Sequence, residues 1–152
     1  MTDEEKQIEL LKIEALETAL KLITESRLVH DQSKPRQELL TELHTKLNKT
    51  GLALYPDQDL EYWLVDDETR KQMDKKYADD WDALDESTKL SISTKGEVLT
   101  FWAPKLVTMF EHHPDLQKWS TSEVFERVYF AVWDKVEEIK GEIENADIHN
   151  ND

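Results

Sequence analysis

The sequence predicts a mainly α-helical protein: a bundle of about five helices with one small β-hairpin inserted at residues 89–102. Three observations carry that expectation. Glycine is scarce, at 3 residues in 152, whereas a strand-rich sandwich needs glycine and proline at its many turns. Long segments rich in Leu, Ile, Lys and Glu recur, and these residue types suit the interior of a helix. The stretch Ser120 to Ile143 repeats apolar residues at helical spacing along its whole length.

The first helix spans residues 3–29. Asp3, Glu4 and Glu5 place negative charge where a helix N-terminus favours it, and Ile13, Leu16, Leu20 and Ile23 form its apolar stripe. His30 to Pro35 interrupts the pattern. A second helix follows with Leu39, Leu40, Leu43 and Leu47 on one side, and Gly51 is expected to end it as a left-handed cap. The short connection makes the two an antiparallel hairpin. Gly51 to Tyr55, closed by Pro56, reads as an extended connector or short strand. Residues 57–86 carry 12 acidic and 4 basic side chains, and Met73, Tyr77, Trp81 and Leu84 give this stretch one aromatic helical edge.

Residues 89–102 alternate as a hairpin would. With Lys95-Gly96 as the turn, Ile92 opposes Leu99 and Leu90 opposes Phe101. A helix through the same residues would hold Pro104 in its interior, at about 3 kcal/mol. The hairpin instead lets Pro104 open the next helix, Pro104 to His113. In the last helix Ser120 stands three residues before Glu123, a capping-box spacing. Val124, Val128, Val132, Val136, Ile139 and Ile143 share one side, Trp133 lies at the edge of that stripe, and Phe130 lies beyond it. A single domain over residues 1–145 is expected, with a polar, frayed tail at 146–152.

Charge narrows the functional classes. The net charge is −15, and the acidity grows towards the C-terminus. Such a chain repels phosphate backbones and anionic membranes, so direct nucleic-acid binding is not expected, and the only local basic cluster is Arg70-Lys71 with Lys75-Lys76. With no cysteine there is no disulfide, thiolate metal site or cysteine nucleophile. The opening MTDEEKQIELL lacks the basic and apolar regions of a signal peptide, and a cytoplasmic protein is expected. Nucleophile elbows, P-loops and dinucleotide fingerprints all need glycine patterns that are absent.

Metal chemistry has few footholds. Glu111-His112-His113-Pro114-Asp115 is rich in ligands, but adjacent histidines on a helix point about 100° apart and suit the negative end of a helix better than a shared metal. His30-Asp31 is half of a His-Asp metal pair, to which His44 and Asp66 would have to converge. Glu14 with Glu17, and Glu144 with Asp147, have the spacings of a helical, Mg²⁺-dependent nucleotide pyrophosphohydrolase, which is the alternative function.

The reading favoured by the residues is a non-enzymatic interaction protein without a cofactor. Asp74, Asp79, Asp80, Asp82 and Asp85 would form an acidic face for a basic protein partner, and Trp63, Phe130 and Trp133 would supply the apolar anchors that charge alone lacks. Inhibitors, immunity-type proteins and phage or mobile-element accessory proteins work in this manner. Self-association as a homodimer is the other expected use of the surplus apolar surface.

Overall fold

The computed structural model describes residues 1–56 and 61–150. Six α-helices follow in order: α1 (Asp3–Val29), α2 (Arg36–Leu52), α3 (Asp67–Asp82), α4 (Glu86–Glu97), α5 (Ala103–Thr108) and α6 (Thr121–Asn150). A π-helical turn, Val98–Trp102, joins α4 to α5 without a break, so the two form one rod and the described residues contain five α-helical rods.

The two long helices frame the core. The Thr2 side chain accepts the Glu5 N–H while Glu5 reaches back to the Thr2 N–H, a full capping box that starts α1. Ser120 Oγ accepts the Glu123 N–H at 3.1 Å at the start of α6. Lys6 Nζ meets Asp147 at 3.2 Å, whereas Ile23 and Arg27 lie beside Phe125, so α1 and α6 run antiparallel. Between them pack Ile13, Leu16, Ala19 and Ile23 of α1 and the whole valine-isoleucine stripe of α6, all buried. The helix continues to Asn150, beyond the boundary at 145 where the polar composition places a tail; Lys6–Asp147 lies within that extension.

Helix α2 returns antiparallel to α1, as expected, with Lys46 Nζ on Ser26 Oγ and Glu42 on His30 Nδ1. Its leucines Leu39, Leu40, Leu43 and Leu47 are buried. Gly51 does not cap it. No glycine has a positive φ, and α2 runs past Gly51 to Leu52. Glycine is needed there for space: a Cβ on Gly51 would stand 2.9 Å from Leu99 Cβ and 3.2 Å from the Thr100 backbone nitrogen. The π turn therefore lies directly against the α2 backbone. Residues 53–56, after α2, are turns and not a strand.

No β-strand occurs among the described residues, and the hairpin expected at 89–102 is helical throughout. Leu90, Thr94 and Val98 step by four and Leu99, Ala103 and Val107 step by four again, with a one-residue jump between the runs. That jump is the π turn. One extra residue rotates the second run back onto the core, and Thr94, Val98, Leu99, Ala103 and Val107 are all buried. It also answers the proline objection. The Ala103 N–H reaches the Val98 carbonyl five residues back, so the ladder is already widened where Pro104, at the start of α5, offers no N–H.

Helix α5 stops at Thr108, short of the His113 expected from the sequence. The histidines lie in the turns beyond it, where His113 Nδ1 accepts the Asp115 N–H at 3.1 Å. This connection is held by Trp119, which is buried against Phe110, His113 and the guanidinium of Arg127 at 4.0 Å, while Arg36 Nε donates to its carbonyl. Helix α3 is peripheral and has no buried residue. Tyr55 stacks on Trp81, and Tyr62 tilts against Tyr77.

Candidate functional site

A valine stripe with a 3.6-residue period buries one side of α6 and leaves the opposite side outside the core. Two large aromatics stand on that outer side. Phe130 is 47% exposed and Trp133 is 41% exposed, and their rings meet edge to face at 6.3 Å. Phe130 also meets Tyr129 edge to face at 5.8 Å, which fixes its ring as a ridge.

Grooves flank this ridge on both sides. One, of about 630 Å³, lies between α6 and the end of α5, over Leu106, Met109 and Phe110 on one wall and Phe130 and Ala131 on the other. The other, of about 500 Å³, lies between α6 and α1, lined by Ile23, Thr24 and Arg27 with Phe125 and Tyr129. Met109 is 60% exposed at the mouth of the first. Glu123, Glu126 and Asp134 line the same groove, exposed, and none of them makes an ion pair among the described residues. Arg127 is the cation among them, with its guanidinium over Trp119.

The acidic residues singled out from the sequence lie apart from this ridge, on and after α3, and they do not act alike. Asp85 is the N-cap of α4: its carboxylate accepts the Thr88 N–H at 2.7 Å. That bond holds its carboxyl below the usual value, and Asp66, capping α3 through Thr69, is lowered for the same kind of reason. Asp74 accepts the Tyr62 hydroxyl, which raises the phenol's pKa. Asp79, Asp80 and Asp82 are exposed and make no ion pair among the described residues, so that of the five they are the ones left as a carboxylate patch. Asp57 and Asp59, of the same acidic stretch, lie outside the described residues.

Trp63 is 77% exposed but not free. The Arg70 guanidinium sits over both the Trp63 and Tyr62 rings while its nitrogens donate to the carbonyls of Tyr62 and Val65 and pair with Asp67 at 2.9 Å. Arg70 is thereby a clasp for the turn before α3, and Trp63 has no ring contact with Phe130 or Trp133. The structure brings Phe130 and Trp133 together and leaves Trp63 in its own cluster.

The metal-ligand spacings fare differently. Among the described residues no three of His, Asp and Glu converge as a metal site. Glu14 pairs with Lys95 at 2.8 Å and Asp147 pairs with Lys6, so each of the two spacings has one carboxylate engaged by a lysine. The His30 side chain is buried, with Nδ1 3.2 Å from Glu42 and its ring edge-on to Phe125, and Lys34 joins the cluster at 2.7 Å from Glu42. Those contacts hold the Glu42 carboxyl below its usual value, chiefly through the hydrogen bond from Lys34.

The α5 wall of the groove is what sequence reasoning missed. The helix expected from Pro104 to His113 already contains Leu106, Met109 and Phe110, but the step from Leu99 to Ala103 to Val107, which sets its register and turns Met109 outwards, is hidden by a hairpin at 89–102. No helix among the described residues is long and apolar enough to cross a membrane. Comparison with known proteins finds no matching protein-family model, no similar curated protein and no similar solved structure.

Proposed function

We propose that this protein is a non-enzymatic interaction module that docks a basic protein partner through the outward face of α6, in the manner of an inhibitor or immunity-type protein. One observation carries the reading. Phe130 and Trp133 stand exposed and in mutual contact on a helix whose other side is fully committed to the core, beside carboxylates that make no ion pair among the described residues. Aromatic anchors release free energy when a partner covers them, and unpaired carboxylates speed the encounter with an opposite charge and set its orientation. The patch Asp79, Asp80 and Asp82 adds to the same long-range field without being part of the contact.

A basic partner is favoured over a second copy because two chains of net charge −15 repel each other. The test is capture of binding proteins from lysate at low and high salt, with light scattering of the isolated protein alongside. The expected result is a monomer that retains a basic protein, releases it as salt rises, and loses it in the Phe130→Ala/Trp133→Ala double variant. Because both rings are already about half exposed, that variant keeps its helical circular dichroism. Retention indifferent to salt and to both substitutions refutes the proposal, as does a salt-indifferent dimer.

A further inference from the structure

We infer that the groove between α5 and α6 takes an amphipathic helix of another protein, apolar at its centre and carrying lysine or arginine at both ends; the inference rests on the interaction reading above. The wall supplied by α6 has a heptad-like order. Glu123, Glu126, Phe130 and Asp134 recur at spacings of 3, 4 and 4, so they form one seam with an aromatic residue in the middle and carboxylates at either end. From residue 123 to residue 134 that seam is about 16 Å long at 1.5 Å per residue, the length of three helical turns.

Backbone chemistry selects a helix over an extended segment. A strand binds by adding to a sheet edge, and the described residues contain no strand. Helices α5 and α6 have their own main-chain groups paired along their length, so a partner must be held by side chains. A helix presents side chains without leaving its own N–H and C=O groups unsatisfied. The groove, of about 630 Å³, has room for a few inserted side chains over Leu106, Phe110 and Ala131, while the backbone of the occupant rides on Met109 and Phe130. Methionine at this rim adapts to different inserted shapes.

Charge selects the ends. The three carboxylates of the seam are exposed and make no ion pair among the described residues, against one arginine whose guanidinium is engaged with Trp119. A second copy of this chain pairing through the same seam by two-fold symmetry would set carboxylate ends against carboxylate ends. A helix with basic ends meets opposite charge at each.

The test is fluorescence anisotropy of labelled synthetic peptides of about 15 residues, long enough to form a helix on binding. One peptide has a leucine stripe at helical spacing and lysines at both ends, a second has the same composition scrambled, and a third has glutamates in place of the lysines. The lysine-ended peptide is expected to bind, more weakly at high salt, and the other two are not. Phe130→Ala and Met109→Ala are each expected to weaken binding by about tenfold, the scale of an anchor residue. Both positions are exposed, so loss of fold is checked and excluded by circular dichroism. Asp79→Asn/Asp80→Asn/Asp82→Asn is expected to leave the affinity at fixed salt within about twofold.

Equal binding of the scrambled peptide, no binding of the lysine-ended one, or affinities unmoved by Phe130→Ala and Met109→Ala overturn the inference. Binding weakened only by the α3 substitutions also overturns it, while leaving a basic-partner module with its site on α3. A dimer that buries Phe130 puts a second copy in the groove and overturns both this inference and the proposed function.

Discussion

Gly51 and Gly141 both lie inside helices, and Gly→Ala should have opposite effects at the two. In an unobstructed helix the change adds about 1 kcal/mol of stability, because alanine has less backbone freedom to lose than glycine. At Gly141 nothing lies within 4 Å of the added methyl, so Gly141→Ala is expected to raise the melting temperature by about 2–4 °C in a chain of this size. At Gly51 the methyl would meet Thr100 Cγ2 at 2.7 Å, Leu99 Cβ at 2.9 Å and the Thr100 nitrogen at 3.2 Å. Two of those three atoms belong to or adjoin the backbone of the π turn. The third cannot swing aside cheaply, since Thr100 Oγ1 donates to the Gly96 carbonyl at 2.7 Å and so fixes the rotamer. Overpacking of a rigid site costs about 3 kcal/mol at the upper end of its usual range. Less the propensity gain, Gly51→Ala should destabilise by about 2 kcal/mol and lower the melting temperature by about 4–8 °C. Thermal and urea unfolding followed by far-ultraviolet circular dichroism measures both variants. If Gly51→Ala stabilises as Gly141→Ala does, the π turn does not lie against α2, and the packing described for Leu99 and Thr100 is wrong.

Two further outcomes follow from the carboxylates. The caps Asp66 and Asp85 have pKa values lowered by the hydrogen bonds they accept, so their folded values lie below the ordinary 3.8. The unfolded chain then binds more protons in that range, and the stabilisation is complete above about pH 5 and lost as pH falls through the folded values. Melting temperature against pH for wild type and the Asp66→Asn/Asp85→Asn variant should therefore differ at neutral pH and converge in acid; a pH-independent difference contradicts the capping charge. With Glu14 bound to Lys95, Mg²⁺ plus a nucleoside triphosphate is expected to leave the melting temperature unchanged. A rise that Glu14→Gln/Glu17→Gln removes would instead favour the metal-dependent hydrolase.

How much of this was legible in the sequence depends on whether a residue's partners share its helix. The buried stripe of α6 and the leucines of α2 were readable because each is a periodic pattern that one neighbour can cover. Phe130 lies beyond that pattern and Trp133 at its edge, and both are exposed. The role of Gly51 is not legible locally because it is set by Leu99 and Thr100, distant in sequence. Trp119 carries no sequence signal, because a lone aromatic in a polar turn has no period; only the fold supplies Phe110, His113 and Arg127 around it. Asp74, Asp79, Asp80, Asp82 and Asp85 read as one acidic face in the sequence, although two of the five are occupied, Asp85 as the cap of α4 and Asp74 by the Tyr62 hydroxyl.

The hairpin error has the largest functional consequence. Alternating Leu90, Ile92, Leu99 and Phe101 satisfy a two-residue period by coincidence, while Leu90, Thr94 and Val98, then Leu99, Ala103 and Val107, satisfy a four-residue one with a single slip. A slip inside a helix is ordinarily a reason to reject the helix, and a following proline ordinarily strengthens the rejection. Here the two compensate: the π turn absorbs the extra residue at the place where the proline withholds its N–H. The rod that results turns Phe101, Lys105 and Met109, each four residues apart, away from the core. It ends at Thr108, and the turns pinned by Trp119 carry the chain back to α6. The α5 side of the groove, with Met109 at its mouth, thus follows from a register change of one residue in α4–α5, and any substitution that restores an unbroken α register there should close or rotate that wall before it touches Phe130 itself.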